Sequence, residues 1–324
     1  MMRVAVPALL ILLSCIGCAG AESRSGPDAM TWLKKIAAAS RQLNYRGTFV
    51  YQHGSQVETS SISHFVDSSG EYERLETLDG PPREVIRNNN NVTCYLPDSK
   101  TVVIEKRGAR RFPTLLPEQI SGIADNYLIK TAEQGRVAGH DCQIVSLEPR
   151  DNLRYGHKFC AELVTGLPLR ARTYDDRSQM VESFAFTQLT IGAGVAKEML
   201  KSRYAAKSQG WRVDRSALEQ KEVSSDTGWL VDPQPTGFKK LMEMKRLISG
   251  RPHPVSHIVY SDGFAAISVF VEAMPKAMPT LGASNQGAVN IFIRSQDDQM
   301  VTVVGETPAR TVKIIAESLS TRGK

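Results

Sequence analysis

Tyr45-Arg46-Gly47-Thr48-Phe49-Val50-Tyr51 alternates two kinds of side chain along its length. Tyr45, Gly47, Phe49 and Tyr51 fall on one face, and Arg46, Thr48 and Val50 on the other, which is the period of a half-buried strand. Just upstream, Ser25-Gly26-Pro27-Asp28 opens a helix with a capping-box pattern and an early proline. Trp32, Leu33, Ile36, Ala37 and Leu43 then recur at helical spacing, so this helix has one apolar face to lay on a sheet. The change of period at Tyr45 marks where a helix gives way to a long β region.

Downstream, turn chemistry separates strand-like runs at intervals of roughly ten residues. The turns are Asp67-Ser68-Ser69-Gly70, Asp79-Gly80-Pro81-Pro82, Asn88 to Asn91, and Pro97-Asp98-Ser99. Further strands are predicted within 127–133, 136–148, 155–162, 167–174 and 180–189. Such regularity predicts a large curved antiparallel sheet or open barrel. The interval 107–126 breaks the pattern, and Pro113, Leu115, Leu116, Pro117 and Ile120 predict a loop and short helix lying across the sheet.

Ile191-Gly192-Ala193-Gly194 ends that run. Val195 to Lys207 is weakly helical, basic and poor in strand formers, and residues 192–227 read as a linker region with some local structure. A second domain, 228–324, holds predicted strands 255–260 and 264–272 around Ser261-Asp262-Gly263, a hairpin signal. A second pair, 288–294 and 300–306, precedes Thr307-Pro308 and a last helix with Ala309, Val312, Ile315, Ala316 and Leu319 on one face. The expected class is mostly β, α+β, in two domains.

The N-terminus reads as a secretory signal. Arg3, the apolar run from Val4 to Leu13 and Ala19-Gly20-Ala21 predict cleavage after Ala21, so that residues 1–21 are lost and 22–191 form the first domain. Leu13-Ser14-Cys15 is a partial lipobox, which leaves lipoprotein processing at Cys15 or Cys18 as the alternative. Of five cysteines, export would leave Cys94, Cys142 and Cys160. Cys142 and Cys160 flank the turn Pro149-Arg150-Asp151-Asn152 and are the expected disulfide; three buried thiols are the other reading.

The formal net charge is +6, with the basic residues scattered, so nucleic acid is a poor match and an anionic lipid or acidic peptide is compatible. No G-x-S-x-G, P-loop, H-E-x-x-H or G-x-G-x-x-G pattern is present, so no enzyme, catalytic residue, metal or cofactor is expected. His253 and His257 are four apart, but Pro252 and Pro254 argue against the helix that a metal pair would need. His53 and His64 read as ordinary sheet residues.

What remains is a binding surface. Phe49, Tyr51, Phe65, Tyr95, Leu115, Leu116 and Tyr127 are candidates to line an apolar cavity for an acyl chain, with ordinary core packing as the alternative. Lys106, Arg107, Arg110 and Arg111 form a compact basic cluster suited to lipid phosphates, or else a solvated charge run.

Several stretches resemble the RseB/MucB family of regulators. The opening strand is one; Glu73-Arg74-Leu75 and Leu78-Asp79-Gly80-Pro81-Pro82-Arg83-Glu84-Val85-Ile86-Arg87 are others, followed by Tyr95-Leu96-Pro97-Asp98. Pro149-Arg150-Asp151, Arg154-Tyr155-Gly156 and Thr165-Gly166-Leu167-Pro168-Leu169 continue the series. Tyr260-Ser261-Asp262-Gly263, Ser268-Val269-Phe270-Val271-Glu272 and the run from Gln299 to Glu306 complete it. The resemblance implies a first domain similar to the lipoprotein carriers LolA and LolB, an incomplete β-barrel closed by helices. It implies a periplasmic regulator of the sigma-E stress response that binds the periplasmic segment of a single-span anti-sigma factor, mainly through the second domain. That binding would hinder site-1 proteolysis until lipid or lipopolysaccharide displaces the regulator. A periplasmic lipid or lipoprotein carrier is the competing function, and the second domain, for which a simple carrier has no need, separates the two. Whether the chain forms a homo-oligomer is left open.

Overall fold

A computed structural model describes residues 24–25, 27–106, 112–117, 120, 122–192, 194–215, 218, 221–247, 253–275 and 280–322. The expected signal segment 1–21, with Cys15, Cys18 and Ala21, lies outside the described residues.

The first helix, Pro27–Gln42, begins on a proline whose missing N–H would be unsatisfied in the first turn anyway. Its buried face is Ala29, Leu33, Ile36 and Ala37. That face lies against the strands Tyr127–Val137, His140–Pro149 and Pro168–Tyr174. Burying each Leu or Ile contributes roughly 1.5–3 kcal/mol, which anchors the helix in the curve of the sheet.

Among the described residues the first sheet has thirteen strands. It runs from Arg24–Ser25 through Tyr127–Val137, His140–Pro149, Gly156–Glu162, Pro168–Tyr174 and Met180–Ile191 to Tyr45–His53. Successive hairpins then carry it to Thr101–Lys106 and finally Arg212–Asp214, which pairs in parallel. The two ends do not meet, so the barrel is incomplete. Alternation sets its inner wall: Tyr45, Phe49, Ile62, Leu75, Val85 and Val92 share one core with Val145, Leu147, Phe159, Ala171 and Phe186. At Gly47 a Cβ would sit 2.4 Å from the Gln188 carbonyl oxygen and 3.0 Å from the Phe186 ring, so this position on the inner face needs glycine. Cys142 and Cys160 form a disulfide, with their Cα atoms 5.4 Å apart.

Residues 197–204, expected within a linker, lie against the outer face of this sheet, before the chain joins its edge as Arg212–Asp214. Glu84 is fully buried there and accepts from Arg74 Nε at 2.7 Å, the Arg203 amide at 3.2 Å and the Ser202 hydroxyl. Lys197 reaches Asp67 at 3.3 Å and stands over the Tyr72 ring at 4.2 Å. These are polar anchors, which leave no hydrophobic period for a sequence reading to find.

Among the described residues the second domain has a seven-stranded sheet, a two-stranded pair of Trp229–Val231 with Leu319–Thr321, and a terminal helix, Ala309–Glu317, which buries Val312, Ile315 and Ala316. The four expected strands are joined by three others, Lys221–Ser224, Lys239–Leu247 and Gly282–Gln286. Lys239–Leu247 is rich in charge and Gly282–Gln286 is nearly all exposed, so neither shows a buried face of period two.

Candidate functional site

The concave side of the first sheet is not an empty hollow, as the expectation of an acyl cavity required. The segment around Phe112 crosses it. The Phe112 ring is 1% exposed and lies 5.0–5.5 Å from the rings of Phe49, Phe184 and Phe186. Leu116 and Ile120 are buried in the same core. Arg41 Nη2 of the first helix donates to the Leu116 carbonyl at 2.7 Å, and the Thr114 hydroxyl to the Ser40 carbonyl at 3.3 Å. The described part of the expected interval, residues 112–117 and 120, therefore does lie across the sheet, and Phe112, Leu116 and Ile120 fill the space beneath it. Free volume remains at the open end, a groove of about 590 Å³ between Tyr51, Glu58, Thr77, Pro82, Arg83 and Leu96, with Gln286 of the second domain on its rim. That is an ordinary size for a small-ligand site.

The predicted lining residues divide accordingly. Phe49, Leu116 and Tyr127 are core, Leu115 packs half-buried against them, and Tyr51 borders the groove. Phe65 and Tyr95 are corrected. Phe65 alternates with the buried His64, and Tyr95 with Cys94, which packs on the inner core, so both point to the outer face. There the Tyr95 ring lies 6.4 Å from Tyr204. A uniform two-residue alternation cannot say which of two aromatic rows is concave, because curvature is a property of the whole sheet. Lys106 is exposed at the end of its strand, and Arg107, Arg110 and Arg111 lie outside the described residues.

A second constellation escaped the sequence reading. Arg154 is fully buried, and its Nε donates to Asp262 Oδ2 of the second domain at 2.6 Å. Its Nη2 donates to the Thr236 carbonyl at 2.7 Å, its Nη1 to Asp151, and its guanidinium lies 4.7 Å over the Phe238 ring. Asp262 Oδ1 accepts the amides of Phe264 at 2.9 Å and Ala265 at 2.8 Å, and its carbonyl accepts Asn126 Nδ2 at 3.1 Å. Nε and Nη2 of this arginine thus reach into the second domain, while Nη1 is held by Asp151 of its own. Tyr127, whose ring is part of the inner core, also reaches Asp262 Oδ2 at 3.4 Å; burial, then the Asp262 charge, raises its phenol well above the ordinary range. His157 stands 4.5 Å from the Phe264 ring, and desolvation lowers its pKa to about 3.

The groove has its own link to the second domain. The Tyr51 hydroxyl donates to Glu182 Oε2 at 3.2 Å, and the Glu182 carboxylate also accepts the Ala288 amide. Burial raises the Glu182 pKa. Gly287 leaves the room: a Cβ there would be 2.6 Å from the Tyr51 hydroxyl, at a φ of +63°. The arrangement offers recognition surfaces and an interdomain junction. Among the described residues no group of three or more His, Cys, Asp or Glu could hold a metal, and no helix is long and apolar enough to cross a membrane.

Comparison with known proteins decides the family. The MucB/RseB N-terminal domain matches residues 28–204, and the MucB/RseB C-terminal domain matches 223–320. This chain belongs to the MucB/RseB family. It is 34% identical over 316 residues to the sigma factor AlgU regulatory protein MucB of Pseudomonas aeruginosa, covering 96% of each chain. It is 24% identical to the sigma-E factor regulatory protein RseB of Salmonella typhimurium, covering 93% of each. The solved complex of Pseudomonas aeruginosa MucA and MucB superposes with a TM-score of 0.72 at 32% identity, over 92% of this chain and 100% of that one. Both domains of a MucB/RseB protein are therefore present, in the same order as in its relatives.

Proposed function

We propose that this chain is a periplasmic negative regulator of a sigma-factor-controlled envelope stress response. It holds the periplasmic segment of a single-span anti-sigma factor of the MucA/RseA kind, largely through the second domain, and keeps site-1 protease from it. Lipid or lipopolysaccharide then displaces it. The observation that carries this reading is the match of both domains, end to end, to a relative solved with MucA bound.

Contacts between the domains support a coupling of the kind such a regulator needs. A lipid can release a protein partner only if it binds the free regulator better than the complex. Tyr127 belongs to the inner core of the first domain and also touches Asp262 of the second, while Glu182 ties the groove to Ala288. An acyl chain that enters by the groove and pushes Phe112 and Leu116 aside disturbs residues that fix the domain junction. The test is proteolysis of the anti-sigma periplasmic domain by site-1 protease. The full chain should slow cleavage, and lipopolysaccharide should restore it; cleavage at one rate in all three conditions overturns the proposal.

A further inference from the structure

On the strand Gly156–Glu162 the core residue Phe159 stands opposite Ala171 of the strand Pro168–Tyr174. Strand alternation sends the flanking residues Lys158, Arg170 and Arg172 to the opposite, outer face. Lys158 and Arg172 are direct cross-strand partners, and Arg170 lies two residues along the same face. Like charges placed directly opposite in a sheet destabilise it. None of the three makes an ion pair among the described residues: Glu148, on the same face of the neighbouring strand, is taken by Lys130, and Lys158 stands 5.4 Å over the Tyr174 ring. The Nε of Arg172 is buried and donates to nothing. Desolvation, followed by the charge of Arg172, lowers the Arg170 pKa. The neighbours in the ladder are small, Ser146 beside Lys158 and Ser183 and Ala185 beside the arginines, so the strand surface can be approached closely.

We propose that Arg170, Arg172 and Lys158 form a phosphate-binding site on the outer face of the first domain, which takes the headgroup of an anionic lipid. Three uncompensated cations on adjacent strands call for a multivalent anion, and two arginines offer the paired N–H groups that fit phosphate oxygens. The site deepens the lipid reading proposed above and rests on it for the choice of lipid over other phosphates. It also places phosphate recognition on the opposite side of the sheet from the groove.

The test uses the full chain without any anti-sigma segment, so its outcome is separate from that of the protease assay. Co-sedimentation is measured with phosphatidylcholine vesicles with and without phosphatidylglycerol, and thermal unfolding is measured with and without inorganic phosphate. The wild type should bind only the phosphatidylglycerol vesicles. The R170Q/R172Q variant should bind them at least about tenfold more weakly, since each hydrogen bond to a charged group is worth about 1.5–3 kcal/mol. Without anion, that variant should melt at or above the wild-type temperature, because a like-charge repulsion is gone; this separates a lost site from a lost fold. Equal vesicle binding by variant and wild type overturns the site. Stabilisation by inorganic phosphate with no vesicle binding overturns the lipid assignment, as does displacement from the vesicles by a polyglutamate peptide that outcompetes phosphate.

Discussion

Arg154 and Asp262, 108 positions apart in the chain, form an ion pair with both side chains wholly buried, and it crosses from the first domain to the second. Removing one partner of a buried pair strands the other charge, at a cost of about 3–5 kcal/mol. Asp262→Asn, which keeps an acceptor for the Phe264 and Ala265 amides, should lower the urea midpoint by that order. Adding Arg154→Met should recover a substantial part. A double variant as unstable as the sum of the two singles would show that the pair is not coupled.

Phe112 should behave as a plug. Phe112→Ala removes the ring that touches Phe49, Phe184 and Phe186, and a Phe→Ala change in a core costs about 3–5 kcal/mol. The emptied space should at the same time take up a fluorescent fatty-acyl probe more tightly than the wild type does. Loss of stability with no gain in probe binding would place the acyl site elsewhere.

Stability should fall as the solution is acidified from neutral pH. His157 and His257 are lowered by desolvation to about 3 and about 4, from an ordinary 6.5. Below 6.5 the unfolded chain takes up protons that the folded chain refuses, so their contribution is complete above 6.5 and is lost progressively toward 4 and 3. Glu182, raised by burial, acts in the opposite direction. In a Glu182→Gln background, His157→Phe should flatten the melting temperature between pH 6.5 and 4; an unchanged slope would contradict the desolvated state of His157.

The Cys142–Cys160 bridge closes a loop with a sequence separation of 18. The loop-entropy argument assigns such a crosslink about 3 kcal/mol. A Cys142→Ser/Cys160→Ser variant should lose that much in guanidinium unfolding, and reductant should then have no further effect on it.

Much of this architecture was legible from period alone. The helix Pro27–Gln42, the strand Tyr45–His53 and the later hairpins each carry a buried face at the spacing of their element, and the structure has them where the pattern put them. The strands that were missed, Lys239–Leu247 and Gly282–Gln286, and the docking of the weakly helical stretch around Lys197–Leu200 on the sheet, rest on strand pairing and polar contacts. Those contacts depend on partners distant in sequence. Arg154 and Asp262 each sat in a stretch that attracted notice, the latter as turn chemistry, but no local pattern pairs a residue with one 108 positions away.

The chain by itself therefore determined most of the helix and strand segments and that there are two domains, because these follow from side-chain periodicity and from turns a few residues long; it offered Cys142 and Cys160 as a pair, and the structure joins them. Only the tertiary structure decided which face of the sheet is concave, that Phe112, Leu116 and Ile120 occupy it, and that Arg154 meets Asp262. It alone set Lys158, Arg170 and Arg172 side by side. The physical reason is that period two makes the two faces of a strand different without saying which is inside. That choice belongs to the curvature and register of the whole sheet, and buried charges find their partners only once it is made.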